Sequence, residues 1–194
     1  MKIRYNAPTV LTFAFICTLI LILSESFSWS ITHNWFSVPG RGDFSPINLQ
    51  HWLRIFTHVI GHAGWNHLVP NISIILLLGP ILEEIYGTMS LLIMISITAF
   101  ITGLLHAFFF SSDLLGASSV VFMMILLVSF TNFNRGEVPL SFILILVLYL
   151  GNELFAAFRN ITTSGYNISH FAHIVGGLVG SLFGFFSHGG RSRR

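Results

Sequence analysis

Charge is what this chain has least of. Only 8% of its 194 residues are charged, against about a quarter in an average soluble domain. Seven acidic and nine basic residues cannot dress a water-exposed surface, which excludes a soluble globular domain. Cysteine is nearly absent. Cys17 alone rules out an intramolecular disulfide and a cysteine metal cluster, and inside an apolar run it reads as a small core hydrophobe. There is no internal repeat and no low-complexity tract beyond a basic Gly-Arg tail. The pI near 9.0 rests on terminal arginines, so it concerns membrane orientation and not nucleic acid.

What is present is apolar: 54% of the residues, with a mean hydropathy of +0.80, spread along the whole chain. A bilayer core of about 30 Å needs roughly 20 mainly apolar helical residues. On that measure the sequence breaks into six stretches, near residues 9–31, 67–86, 89–110, 117–133, 139–157 and 169–187. The first is too long for a signal peptide and lacks a small-residue cleavage site, so it reads as a retained helix. The expectation is an all-α polytopic membrane protein, with residues 1–8 as an N-terminal segment, 9–187 as one membrane domain and 188–194 as a basic tail. With six spans both ends share one side. Lys2, Arg4, Arg135, Arg191, Arg193 and Arg194 then lie together, opposite Arg41, Arg54 and Arg159, and the excess marks the cytoplasmic side.

Between the first two spans, residues 32–66 are rich in Pro, Gly, Trp, Phe and His. Loops this long are usually functional or disordered. Trp35, Phe36, Phe44, Trp52, Ile55 and Phe56 suggest a structured external loop at the membrane interface, with a short amphipathic helix over residues 52–62.

A polar side chain inside a span is costly and therefore informative. Glu83 and Glu84 stand at a helix end, Glu153 near Arg159, and His106 where an interior hydrogen bond is expected. The remaining polar groups share one depth on the side opposite the termini. His67 and Asn71, four residues apart, occupy one helix face. Ser118 follows Gly116 and Ala117 at the start of the fourth span, and His173 lies about one turn into the sixth. A serine hydroxyl is a weak nucleophile until a base takes its proton, and histidine is the usual base. No acidic residue adjoins His173, which points to a dyad. Amides at the start of the fourth helix, with His67 and Asn71, would supply donors to an oxyanion. Gly176 and Gly180, at four-residue spacing, let membrane helices approach closely.

These motifs resemble the rhomboid intramembrane serine proteases. The stretch from Trp52 and Arg54 through His58 and His62 to His67 and Asn71 is similar to that family's tryptophan-arginine loop and its histidine, three residues, then asparagine. Gly116-Ala117-Ser118-Ser119 resembles the nucleophile motif, with Ser119 where the family most often has glycine. Ala172-His173 followed by Gly176 and Gly180 resembles the base-bearing helix, and Leu53 separates the Trp and Arg that the family places side by side. The match covers about residues 50–186. It implies a six-helix core, Ser118 as nucleophile, His173 as general base, and His67, Asn71, Gly116 and the Ser118 amide around the oxyanion. It also implies substrates that are transmembrane helices of membrane proteins cut near their external ends, no metal or organic cofactor, and residence in a prokaryotic cell membrane with cytoplasmic termini. Two other readings stay open: an inactive relative that binds transmembrane helices, and a metal site built from His58, His62 and His67, two of which share a helical ligand spacing. That second reading lacks the glutamate a metalloprotease base requires.

Overall fold

The computed structural model describes residues 5–130, 140–145, 147–148 and 167–191. They form α1 (Pro8–Ser26), α2 (Ser30–Trp35), α3 (Leu49–Thr57), α4 (Trp65–Tyr86), α5 (Thr88–Phe109), α6 (Ser118–Phe130), α7 (Leu140–Ile145) and α8 (Asn167–Arg191). Among the described residues there is no strand, only an isolated antiparallel bridge between Val38 and Leu114. α1, α4 and α5 are long and apolar enough to cross a membrane, and shorter apolar helices cover residues 118–129 and 171–184. The fold is all-α and polytopic, as a bilayer requires, since a helix satisfies its backbone groups internally.

α6 is the centre. It is apolar on every side, and Val120 through Leu127 are all buried, because α4, α5 and α8 surround it. Around it α1, α4 and α5 turn large apolar side chains outward, among them Phe15, Leu19, Leu77 and Ile93. Surface of that chemistry suits lipid contact. α1 begins at Pro8, and its N-cap residue Ala7 offers no side-chain acceptor. The carboxylate of Glu83, on α4, fills the vacancy by accepting the Thr9 and Val10 amides at 2.9 and 3.1 Å. A buried acid on one span thus caps the positive end of another, the tertiary role its position in sequence suggests.

Two boundaries differ from expectation. The first apolar stretch does not continue to residue 31: α1 stops at Ser26, and α2 starts at Ser30 after a break in which the Ser28 hydroxyl bonds that of Ser30. The loop helix runs over Leu49–Thr57 instead of 52–62. Asn48 caps it by accepting the Gln50 amide at 3.0 Å, and the chain then leaves through turns from Ile60 to Thr57 and Gly61 to His58. α3 is strongly two-faced. Arg54 and Ile55 are buried, while Leu49, Leu53 and Phe56, at i, i+4 and i+7, are exposed. Of the fifth expected span, 139–157, only α7 and residues 147–148 are described. Glu153, Arg159, Arg135 and the terminal basic residues Lys2, Arg4, Arg193 and Arg194 lie outside the described residues.

Candidate active site

Ser118 is the first residue of α6, where helix amides point outward without intrahelical partners. It is half-buried, whereas Ser119 is 2% exposed with its hydroxyl unpartnered. Of the two adjacent serines, only Ser118 is reachable. The turn before it needs glycine at residue 116 for two reasons. Its φ is +121°, which side chains rarely adopt, and a Cβ there would lie 2.6 and 2.7 Å from Cε1 and Nε2 of His67. The His67 ring therefore lies directly against the turn that delivers Ser118.

The same turn is held from behind. The Gly116 amide donates to the His58 carbonyl at 2.9 Å, and the Ala117 amide to Nε2 of His62 at 3.4 Å. His62 can accept there because its Nδ1 donates to the Ile60 carbonyl at 3.0 Å, which fixes the tautomer. Burial pushes His62 down to about 4, so it remains a neutral acceptor near neutral pH. His58 donates through Nδ1 to the Ile55 carbonyl at 2.9 Å and is likewise pushed by burial down to about 4. The His67 and His62 rings meet edge to face with centroids 5.1 Å apart. His67 Nδ1 faces the Ala63 amide at 3.5 Å. His58, His62 and His67 thus each turn Nδ1 to a different backbone group, that of Ile55, Ile60 and Ala63. Among the described residues no group of three or more His, Cys, Asp or Glu side chains is placed to hold a metal, which removes the support for that reading.

Asn71 is buried one turn below His67, and its Nδ2 donates to the His67 carbonyl at 3.0 Å. An amide nitrogen carries two protons, so one remains for another acceptor. An open cavity of about 440 Å³ lined by Ala63, Gly64, Trp65, Asn66 and His67 adjoins this corner.

His173 arrives on α8. A Cβ on Gly176 would sit 2.2 Å from the Ser119 carbonyl oxygen, and one on Gly180 would sit 2.3 Å from that of Met123. The two helices therefore run in backbone contact along the first turns of α6. His173, three residues before Gly176, shares that face. Its ring stacks on Phe122 with centroids 4.4 Å apart and planes 6° from parallel. Side chains on a helix lean toward its N-terminus, so Phe122 covers the turn holding Ser118. This stack brings the His173 imidazole to that turn, within electrostatic reach of His67. Gly116 thus touches His67, Asn71 is bonded to the His67 backbone, and His173 stacks on Phe122, one helical turn from Ser118. The side chain of His170 lies outside the described part of the structure. Sequence reasoning expects His58 and His62 to hold the loop by hydrogen bonds but overlooks Ala117 as a partner of His62 and overlooks Phe122; the only available signal for Phe122 is that it follows Ser118 by four residues, on one helix face.

The family profile described as Rhomboid domain matches residues 49–189. Rhomboid-related protein 1 of Caenorhabditis elegans is 32% identical over 166 residues, covering 79% of this chain and 45% of that protein. Rhomboid protease GlpG of Pectobacterium atrosepticum is 25% identical over 178 residues, covering 92% and 62%, respectively. Rhomboid protease GluP of Bacillus subtilis is 30% identical over 187 residues, covering 92% and 34%. The chain thus spans less than two thirds of the length of each of these relatives. The profile match takes in α3 through most of α8, including every residue gathered around Ser118: the chain belongs to the rhomboid family.

Proposed function

We propose that this protein is an intramembrane serine endopeptidase that cleaves transmembrane helices of membrane-protein substrates with a Ser118–His173 dyad. The observation that supports the reading is the backbone contact of α6 and α8 at Gly176 and Gly180, with the ring of His173 stacked on Phe122, four residues after Ser118 on the same helix. The kinship to proteins named rhomboid proteases supports the same chemistry.

In this reading His173 takes the proton from Ser118 Oγ as the oxygen attacks a substrate carbonyl carbon. The resulting oxyanion is met by the Ser118 amide and by side-chain donors of His67 and Asn71. His173 returns the proton to the departing amine nitrogen, leaving an acyl-enzyme. Water from the cavity beside His67 then attacks the ester, losing its proton to His173, which passes it to the departing Ser118 Oγ as the acid product leaves. A helical peptide bond is shielded by its own ladder, so the substrate must unwind locally. Segments with Gly, Ser or Pro near the scissile bond are favoured. No step calls for a metal or organic cofactor.

The same proposal includes six spans within residues 9–187, a structured external loop between the first two, and both termini in the cytoplasm of a prokaryotic cell, as the distribution of Lys and Arg favours. The test is cleavage of a transmembrane substrate by Ser118→Ala and His173→Ala variants. Both lose activity if the dyad operates, and persistence in either sinks it. A rhomboid that binds helices without cutting them would show substrate capture with no product from the unaltered protein.

A further inference from the structure

The turn that delivers Ser118 is tied residue by residue to the long connection between α1 and α4. Arg41 donates its amide to the Phe110 carbonyl at 2.5 Å, and Val38 and Leu114 exchange both backbone bonds at 2.8 and 3.0 Å. Beyond them Gly116 is bonded to His58 and Ala117 to His62. On the α5 side, His106 donates through Nε2 to the Ser112 carbonyl at 2.6 Å. Phe110, Ser112, Leu114, Gly116 and Ala117 are therefore each held through a backbone group, and between those ties one charged side chain stands out. Asp113, five residues before Ser118, has Oδ2 2.9 Å from Nε2 of His33 and accepts the Ser37 hydroxyl at 3.3 Å. Arg54 lies beneath both of these partners. It is 7% exposed, its Nη2 donates to the His33 carbonyl at 2.9 Å, and its Nε donates to the Ser37 carbonyl. The arginine thus fixes the backbone that presents His33 and Ser37, and its positive charge attracts the Asp113 carboxylate.

We propose that Asp113 is a positioning residue for the nucleophile: paired with His33 and Ser37, it locks the 113–117 turn to the α1–α4 connection and so holds the Ser118 hydroxyl and amide in register with His173 and His67. This rests on the proposed proteolytic function, and Asp113 itself touches no reacting atom. The lock differs from the backbone ties in running through side chains that converge on one carboxylate. It acts on the rate of attack by Ser118, not on substrate binding, because Asp113 is spent on His33 and Ser37 and reaches the site only through the turn. His33 is more than half exposed, and exposed pairs of this kind are weak, so its effect is a fine adjustment.

The test uses the full chain in liposomes and follows cleavage of a transmembrane substrate, the rate at which a fluorophosphonate labels Ser118, and the thermal unfolding midpoint. Asp113→Asn keeps the shape and removes the charge. It should lower kcat and the labelling rate about two- to fivefold, leaving KM and the midpoint unchanged. His33→Gln should do the same, the double variant should be no slower than either single one, and Asp113→Glu should recover part of the loss. The proposal is overturned if Asp113→Asn labels at the unaltered rate, if the two single effects multiply in the double variant, or if the loss lies wholly in KM or tracks a lowered midpoint. If instead the unaltered protein neither cleaves nor labels at Ser118, the proteolytic reading fails first and the positioning role falls with it.

Discussion

Replacing Gly176 by alanine adds one methyl group where there is no room. That Cβ would lie 2.2 Å from the Ser119 carbonyl oxygen and 2.8 Å from its carbonyl carbon, whereas ordinary van der Waals contact begins at about 3.4 Å. Both opposing atoms are backbone of a helix buried on all sides, so no side-chain rotation relieves the overlap. α8 must move away from α6 by about 1 Å, and His173 moves with it. Reacting groups held near 3 Å are sensitive to such a shift: a misplacement of about 1 Å costs on the order of 10²-fold in rate. Overpacking of this size also costs about 1–3 kcal/mol of stability, which is too little to unfold a well-packed domain. Gly176→Ala should therefore remain folded, bind substrate with nearly unaltered KM and lose about 100-fold in kcat. Leu178→Ala is the control, because Leu178 lies on the same helix but is 55% exposed on the outer face, and it should leave kcat unchanged. Initial rates over a range of substrate mole fraction in liposomes, beside thermal unfolding, separate the terms. A Gly176→Ala protein within threefold of the unaltered kcat would refute the reasoning, since the α6–α8 backbone contact would then not set the serine–histidine distance.

Three further outcomes are expected. Phe122→Leu removes the ring stacked on His173 while keeping an apolar side chain of similar bulk; loss of a stack worth about 0.5–1.5 kcal/mol should lower kcat two- to tenfold, and Phe122→Tyr should retain most of the rate in the same cleavage assay. Ser119→Ala replaces a buried, unpartnered hydroxyl by a hydrogen, so unfolding should show equal or up to about 1 kcal/mol greater stability with activity kept; a large loss of activity would give that hydroxyl a function. His58 and His62 have folded-state values of about 4 against an ordinary 6.5, so the unfolded chain takes up protons first on acidification. Their effect on stability is flat above about pH 6.5. Below that, each removes about 1.4 kcal/mol per pH unit until pH 4 is reached. Unfolding at pH 7 and pH 5 should therefore show an acid loss that shrinks by about 2 kcal/mol when either histidine is replaced by glutamine, and an unchanged acid loss would contradict their neutral burial.

How far the sequence discloses this arrangement depends on the kind of signal each residue carries. The stretches 67–86 and 89–110 are legible to within two residues of α4 and α5, since long apolar runs meet at Gly87 with nothing to extend either helix. Ser118, His173, His67 and Asn71 are legible because a polar group in an apolar span has no neighbours of its kind to hide among. The limits of α3 are not. His58 and His62 have helical spacing although their backbone forms turns, and the decisive Asn48 cap is a single hydrogen bond. Nor does composition reveal the break after Ser26, because Phe27 and Trp29 continue the apolar run. Phe122 is one apolar residue on an entirely apolar helix, and its importance comes only from the ring it faces. The pairing of His33 with Asp113 joins positions 80 residues apart and requires the tertiary structure. Low charge content therefore exposes the few polar groups within the spans, but it does not report how the loops hold them.

The central claim is that Ser118, activated by His173, is the nucleophile. Its most direct measurement is the mass-spectrometric location of a fluorophosphonate adduct on the folded protein in membranes. The account predicts a single adduct on Ser118, none on the adjacent Ser119, and loss of the adduct in His173→Ala with folding retained. An adduct on another residue, labelling that persists without His173, or no labelling of a folded protein that still cleaves its substrate would contradict it.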